Sequence, residues 1–558
     1  MSLKKILTLN VLAAGLVACG GGDINISPST TSNTTGGDTS GGGSASSVCA
    51  AYTLDGTTYR GTLSGNNCNY DSTFVDADNP LMVDVIFSDL PSNGVHVFDG
   101  SLIVGENYST DAELSAAGIT EGGDGPTVSI GAGATLAFAS SDDLMVINRG
   151  SQIVANGTAA APITITSQTD AVFGVVGPED VQQWGGLVIN GFGVTNKCSY
   201  SGTRGTDLAL TGECHILSEG KVGGGESNYG GNNDADSSGT LRYVVVKHTG
   251  AEVAPGNELN GIAMNAVGSG TTVENIQVYS VYDDGIEFFG GSVNVTNYVG
   301  LYVNDDSLDI DEGYNGTIQN TLIIQSESNG NRCVESDGVG SYDDVSATPG
   351  AIDDLIARGL NSAATILNMT CIFSANETGT HDPGQGLRIR EAHIPVIRDS
   401  IVTSAYTGDE LLGDDDFNYC IRIDNEGGPA ATAGDLEVTN SIFACQDLVD
   451  GDLGPGDTLA WLDTPAFDNA TYQSAEAGEN PSPAAAPTFV ILGDDSAAPT
   501  AAGFYSVLSA GQLIPGETVP TSSTADTYIG AVISSDDWTA GWTYGLHAGN
   551  RAQALYFE

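Results

Sequence analysis

Basic side chains are scarce in this 558-residue chain, which has 16 Lys and Arg against 71 Asp and Glu and a formal net charge of −55. A surface of that sign repels phosphate backbones, so nucleic-acid binding is excluded. Anionic polymers are repelled too, unless divalent cations mediate. Helix signals are few: 75 glycines break the chain into short β-branched runs. After residue 18 there is no apolar run long enough to read as a membrane-spanning helix. The six histidines (His96, His215, His248, His381, His393, His547) show no HxH or HxxxH pair, and no CxxC spacing suggests zinc. P-loop, GxSxG and dinucleotide fingerprints are missing from any strand–turn–helix context.

What is present begins with a processing signal. Lys4 and Lys5 precede an apolar run from Ile6 to Ala18, too short to span a bilayer. It ends in Leu16-Val17-Ala18-Cys19, which resembles the lipobox of bacterial lipoproteins. The resemblance implies cleavage before Cys19 and a diacylated N-terminus. Gly20, rather than Asp, implies delivery to the outer membrane. We therefore read 1–18 as signal peptide and 19–47, almost wholly Gly, Ser, Thr, Asn and Asp, as a flexible tether.

Eight cysteines remain beyond Cys19, an even number that suits disulfides in an exported protein. Eight cysteines allow about 105 connectivities. Spacing favours sequence neighbours: Cys49–Cys68, Cys198–Cys214, Cys333–Cys371 and Cys420–Cys445.

Between about 240 and 445 an internal repeat emerges. An apolar–x–Asn/Asp pattern ends at Asn275, Asn297, Asn320, Asn368, Asp399 and Asn440, with first steps of 22 and 23 residues. A second motif runs in the same repeats: Gly285-Ile-Glu-Phe-Phe289, Ser307-Leu-Asp-Ile-Asp311, Cys333-Val-Glu-Ser-Asp337, Gly386-Leu-Arg-Ile-Arg390 and Cys420-Ile-Arg-Ile-Asp424. Its period of two is that of a half-buried strand. Ile286, Leu308, Val334, Leu387 and Ile421 are expected to face in, and the charged positions out. One small coil cannot bury its own apolar face, so coils must stack. Asn tolerates the left-handed turn conformation and can bond its neighbour on the next coil. The expected fold is all-β: a right-handed parallel β-helix over 76–450. A small disulfide-stapled segment over 48–75 precedes it. A loop-rich C-terminal extension over 451–558, with a closing strand at Tyr528–Val532, follows.

Several further segments carry a family resemblance. These are Asn156-Gly-Thr-Ala-Ala-Ala-Pro-Ile-Thr-Ile-Thr, Trp184-Gly-Gly-Leu-Val-Ile, Gly230-Gly-Asn-Asn-Asp-Ala-Asp-Ser-Ser-Gly-Thr-Leu and Gly268-Ser-Gly-Thr-Thr-Val-Glu-Asn-Ile-Gln-Val, with Tyr528-Ile-Gly-Ala-Val and Trp538-Thr-Ala-Gly-Trp-Thr. Across roughly 75–545 the chain resembles bacterial outer-membrane lipoproteins with pectate-lyase-like β-helices. The resemblance implies fold, envelope location and work beside outer-membrane transporters. It implies no particular activity.

Stacking places like charges about 4.8 Å apart. One column carries Glu287, Asp309, Glu335, Arg388 and Arg422; the next carries Phe289, Asp311, Asp337, Arg390 and Asp424. Arg388 and Arg390 are expected to pair with Glu335 and Asp337. Asp309, Asp311, Glu335 and Asp337 form a candidate calcium site. Other oxygen-rich stretches are Asp305-Asp306, Asp414-Asp415-Asp416 and Asp450-Gly451-Asp452. For catalysis the candidates are Asp305, Asp306, Asp309 and Arg388. Asp283-Asp284 and Asp305-Asp306 resemble the paired aspartates of polygalacturonase-like hydrolases, but the NTD and GHG motifs of those enzymes are missing. The expected function is a non-catalytic ligand-binding or scaffold lipoprotein, with a glycan or a transporter as partner. The alternative is a polysaccharide lyase or glycoside hydrolase on the 283–424 face. Cys19→Ala is expected to abolish membrane retention. Fractionation of cells checks this, and a mutant that stays in the membrane pellet through a high-salt wash contradicts it.

Overall fold

A computed structural model describes residues 48–219, 227–252, 258–327, 329–374, 384–404, 419–445, 447–451, 453, 457–471, 505–508, 520–523, 528–533 and 535–555. The signal, tether and Cys19 lie outside the described residues, as do His381, Asp414-Asp415-Asp416 and Asp452.

The two repeat motifs become two parallel sheets wound along one core, a right-handed parallel β-helix. One sheet has ten strands, from Leu102–Val104 to Asp447–Asp450, each hydrogen-bonded in parallel to the next. Ile286, Leu308, Val334, Leu387 and Ile421 are direct partners in successive strands. All five are buried inside the coil. The same register stacks Glu287, Asp309, Glu335, Arg388 and Arg422 on the outer side.

The other sheet is dominated by long strands: Gly239–Thr249, Thr272–Val281, Asn294–Val303, Thr317–Ile324 and Thr365–Phe373. Four of them turn a corner at one residue. Asn275, Asn297, Asn320 and Asn368 have φ of 56°, 63°, 56° and 53°, and Asp399 and Asn440 continue the series at 52° and 55°. The Asn297 amide donates to Asn275 Oδ1 (3.0 Å), and Asn320 donates to Asn297 Oδ1 (2.9 Å). The column starts one coil earlier at Tyr243, φ 52°, which carries no Asn to mark it.

Aromatic rings fill the N-terminal coils. Tyr70, Phe98, Phe138 and Trp184 stack at centroid spacings of 4.9, 5.4 and 4.7 Å. Cys68, Tyr70 and Phe74 belong to the main core, so the stapled segment caps the coil. Its strand Asn67–Tyr70 pairs in parallel with His96–Phe98.

Four disulfides close between sequence neighbours: Cys49–Cys68, Cys198–Cys214, Cys333–Cys371 and Cys420–Cys445. Gly386 occupies the rung between Cys333 and Cys420. A Cβ there would lie 2.1 Å from the Cys420 carbonyl oxygen, so only glycine fits.

The C-terminal strand Tyr528–Gly530 does not close the coil by joining its ladder. It pairs antiparallel with Ser506–Leu508. Ala531, Val532, Leu546 and Leu555 then bury Tyr279, Leu301, Leu322 and Ile372 on the outer face of the long-strand sheet. Gln277 exchanges two hydrogen bonds with the Tyr544 backbone (2.7 and 2.6 Å). Those apolar outward residues break the strict alternation, and the cover explains why.

Asn297→Ala removes two amide bonds from the column and puts a Cβ-bearing non-Asn residue at φ 63°. A loss of about 2–3 kcal/mol is expected. Urea unfolding checks it. Asn297→Gly should recover the backbone share only.

Candidate functional site

The outer side of the ten-stranded sheet was expected to be open to solvent. It is not. The long excursion between Asn190 and Gly239, stapled by Cys198–Cys214, folds over it. Thr195 Oγ1 and Tyr229 OH each donate to Glu312 Oε2 at 2.7 Å, and Lys197 pairs with the same carboxylate. Asn196 donates to the Gly338 and Leu360 carbonyls (2.9 and 3.0 Å). Arg204 holds Asp234 through two bonds (2.7 and 2.8 Å) and reaches Gly291 O (2.8 Å). Tyr229 lies against Phe289, ring centroids 6.2 Å apart. On this face Glu287 is only 7% exposed, Asp284 8% and Asp306 3%. A strand-period reading assigns faces but cannot see what an insertion elsewhere lays across them.

The charged columns divide into two halves. On the C-terminal side arginines neutralise the acids. Glu335 meets Arg332 (3.1 Å), Arg390 (3.1 Å) and Arg388 (3.7 Å). Arg390 grips Asp337 with two donors, one at 2.9 Å. Arg388 also reaches Asp424 (3.4 Å), and Arg422 joins Asp424 (2.9 Å) to Asp450 (2.8 Å). The sequence reading anticipated Arg388 and Arg390 but missed Arg332, which also pairs with Asp306 (3.4 Å). Its signal was its place, immediately before the motif that begins at Cys333. Burial works against the Arg332 cation, yet Asp306 and Glu335 overcome it and raise its pKa.

On the N-terminal side the acids meet each other. Oxygens of Asp284, Glu287 and Asp309 lie within 4.8 Å of one another, as do those of Asp283, Asp284 and Asp305. The pKa values of Asp284, Glu287, Asp306, Asp309 and Asp311 are pushed well above the usual carboxylate range, first by burial and then by neighbouring carboxylates. The four residues read from sequence as one calcium site are thus split. Asp309 belongs to the acid group; Glu335 and Asp337 belong to the arginine ladder. The catalytic candidates are dispersed too. Asp306 is buried against the Arg332 backbone N–H (2.8 Å), Asp305 sits half-buried beside Asp283, and Arg388 is held between Glu335 and Asp424. Asp450 is committed to Arg422.

Asp311 lines a cleft of about 380 Å³ with Asp337, Val339, Ser341, Tyr342, Asp343, Asp344 and Glu391. Sequence reasoning named Asp311 and Asp337 but not the cleft, because Asp343, Asp344 and Glu391 come from turns outside the repeat. Two residues beyond Glu391, His393 is buried, its pKa pushed down to about 3 by burial. Its Nε2 accepts from the Ala364 N–H (3.3 Å), so it is a structural histidine.

A family model for the pectate-lyase-like β-helix domain matches residues 106–478. The chain belongs to that family. No curated protein and no solved structure shows a match to it. The matched stretch of this pectate-lyase-like β-helix holds the acid group, the arginine ladder and the cleft together.

At the cleft edge, burial and Asp337 push Glu391 up to about 7. A raised folded pKa means that the folded state binds the extra proton more tightly. The wild type therefore loses stability as pH rises from the ordinary carboxylate range through about 7. Glu391→Gln should match wild type near pH 4 and melt at a higher temperature near pH 8. Melting curves across this range check the sign.

Proposed function

We propose that this β-helix is a non-catalytic ligand-binding module of the cell envelope. In this reading lipid on Cys19 holds it to the outer membrane, and it works beside an outer-membrane transporter. The observation that carries the binding role is the cleft, with five carboxylates and Tyr342 around about 380 Å³. Concave sites with a few convergent polar groups are where small ligands bind. Its charge suits a cationic ligand and opposes a polyuronate. The arginines of the neighbouring face speak against a lyase. A proton-abstracting arginine must be free to approach substrate, whereas Arg388, Arg390 and Arg422 each serve carboxylates. The buried Asp284 and Asp306 likewise cannot flank a sugar chain from both sides, as glycoside hydrolysis requires.

The rival reading is a polysaccharide lyase or glycoside hydrolase on the 283–424 face, favoured by the acid group and the family's name. One pair of experiments separates them. Spermine titrated into the full chain should bind in a salt-sensitive way, and Asp343→Asn with Asp344→Asn should weaken it at least tenfold. A panel of acidic polysaccharides, with and without Ca²⁺, should stay intact. Depolymerisation by wild-type protein would establish the rival. Unchanged spermine binding in the double variant would remove the cleft from the argument.

A further inference from the structure

The acid group at the N-terminal end of the charged face has a geometry of its own. Glu287 and Asp309 are direct partners on adjacent strands, so the sheet fixes their spacing. Asp284 sits two residues before Ile286, in the turn that leads into the same strand. One oxygen from each of the three falls within a 4.8 Å span. Among the described residues, no ion pair joins Asp284, Glu287 or Asp309 to a lysine or arginine, although every arginine of the adjoining ladder is so engaged.

A second observation comes from Asn260. It is 5% exposed and holds the place two residues before Ile262, the strand partner of Ile286. Its amide nitrogen donates to Glu287, while its carbonyl Oδ1 is enclosed and has no hydrogen-bond partner. The same is true of Asp309 Oδ1. Buried oxygens in that state are costly unless something electropositive meets them. All donors here are oxygen, which selects a hard cation. Calcium binds oxygens at roughly 2.3–2.6 Å, so two ligands across one ion lie up to about 5 Å apart. Magnesium, at roughly 2.0–2.1 Å, demands a tighter group. Three carboxylates and an amide on neighbouring rungs make an irregular oxygen set, which calcium tolerates and near-octahedral magnesium does not.

We infer that Asp284, Glu287 and Asp309, with the Asn260 carbonyl, form a calcium site at the N-terminal end of the charged face. The site does not involve Glu335 and Asp337, whose charges the arginines already answer. It is independent of the cleft, since none of its ligands lines that cavity.

The test uses the full, disulfide-intact chain, stripped with EGTA and titrated with CaCl₂ or MgCl₂. Wild type should take up Ca²⁺ and melt at a higher temperature with it, and Mg²⁺ should give little shift. Glu287→Gln combined with Asp309→Asn should lose one bound calcium and the calcium-dependent shift, with far-ultraviolet circular dichroism unchanged. If that variant fails to fold, Asn260→Ala, which keeps all three carboxylates, should weaken calcium binding at least tenfold. Calcium binding that survives these variants and is lost in Asp337→Asn would overturn the assignment, as would a wild type that ignores calcium.

Discussion

In-register stacking of parallel strands is the constraint from which the rest follows. Each side chain meets the side chain of the same rank one coil away, about 4.8 Å along the axis. Inside, this makes columns such as Ile286-Leu308-Val334-Leu387-Ile421, where like meeting like is favourable. At the corners it makes the asparagine column, in which each amide satisfies its neighbour. On the charged face the same rule sets Glu287, Asp309 and Glu335 against one another. A parallel stack therefore needs a local answer wherever ionised groups share a rank.

The protein answers in two ways along one face. From Arg332 onward, guanidinium groups are threaded between carboxylates so that most arginines touch two of them. Bidentate geometry and partial burial make these pairs stiffer than ordinary surface ion pairs. Upstream, among the described residues, no arginine pairs with Asp284, Glu287 or Asp309, and their burial makes the field harder to screen. Burial and mutual repulsion act in the same direction there, and the carboxyl groups hold their protons more tightly.

Membership in the pectate-lyase-like β-helix family accounts for the architecture and leaves the chemistry to the site. Two segments outside the ladders set the surroundings of the sheets. The Cys198–Cys214 excursion covers the charged sheet through Thr195, Lys197, Arg204 and Tyr229. The C-terminal segment covers the apolar flank of the long strands through Trp538, Tyr544 and Leu546. Together they leave the acidic cleft beside Tyr342 and Glu391 as a concave feature of the charged face.

How much of this the sequence held depends on the range of the interaction. Periodicity of two and a step near 22 residues are local signals. They determined the coil, its register, the inward column and the left-handed corners at Asn275, Asn297 and Asn320. The distance between Cys333 and Cys420, two rungs apart with Gly386 between, was likewise countable along the chain. Tyr243 was not legible as a corner, because its conformation is imposed by the neighbouring coil rather than by its own side chain. Nor was the burial of Glu287, the grouping of Asp309 with Asp284 and Glu287, or the meeting of Asp311 with Asp343 and Glu391. Those depend on where insertions of irregular sequence come to rest. A repeat dictates which residues share a face by itself, but desolvation and pairing on that face are set by whatever segment covers it, and only the tertiary structure decides that.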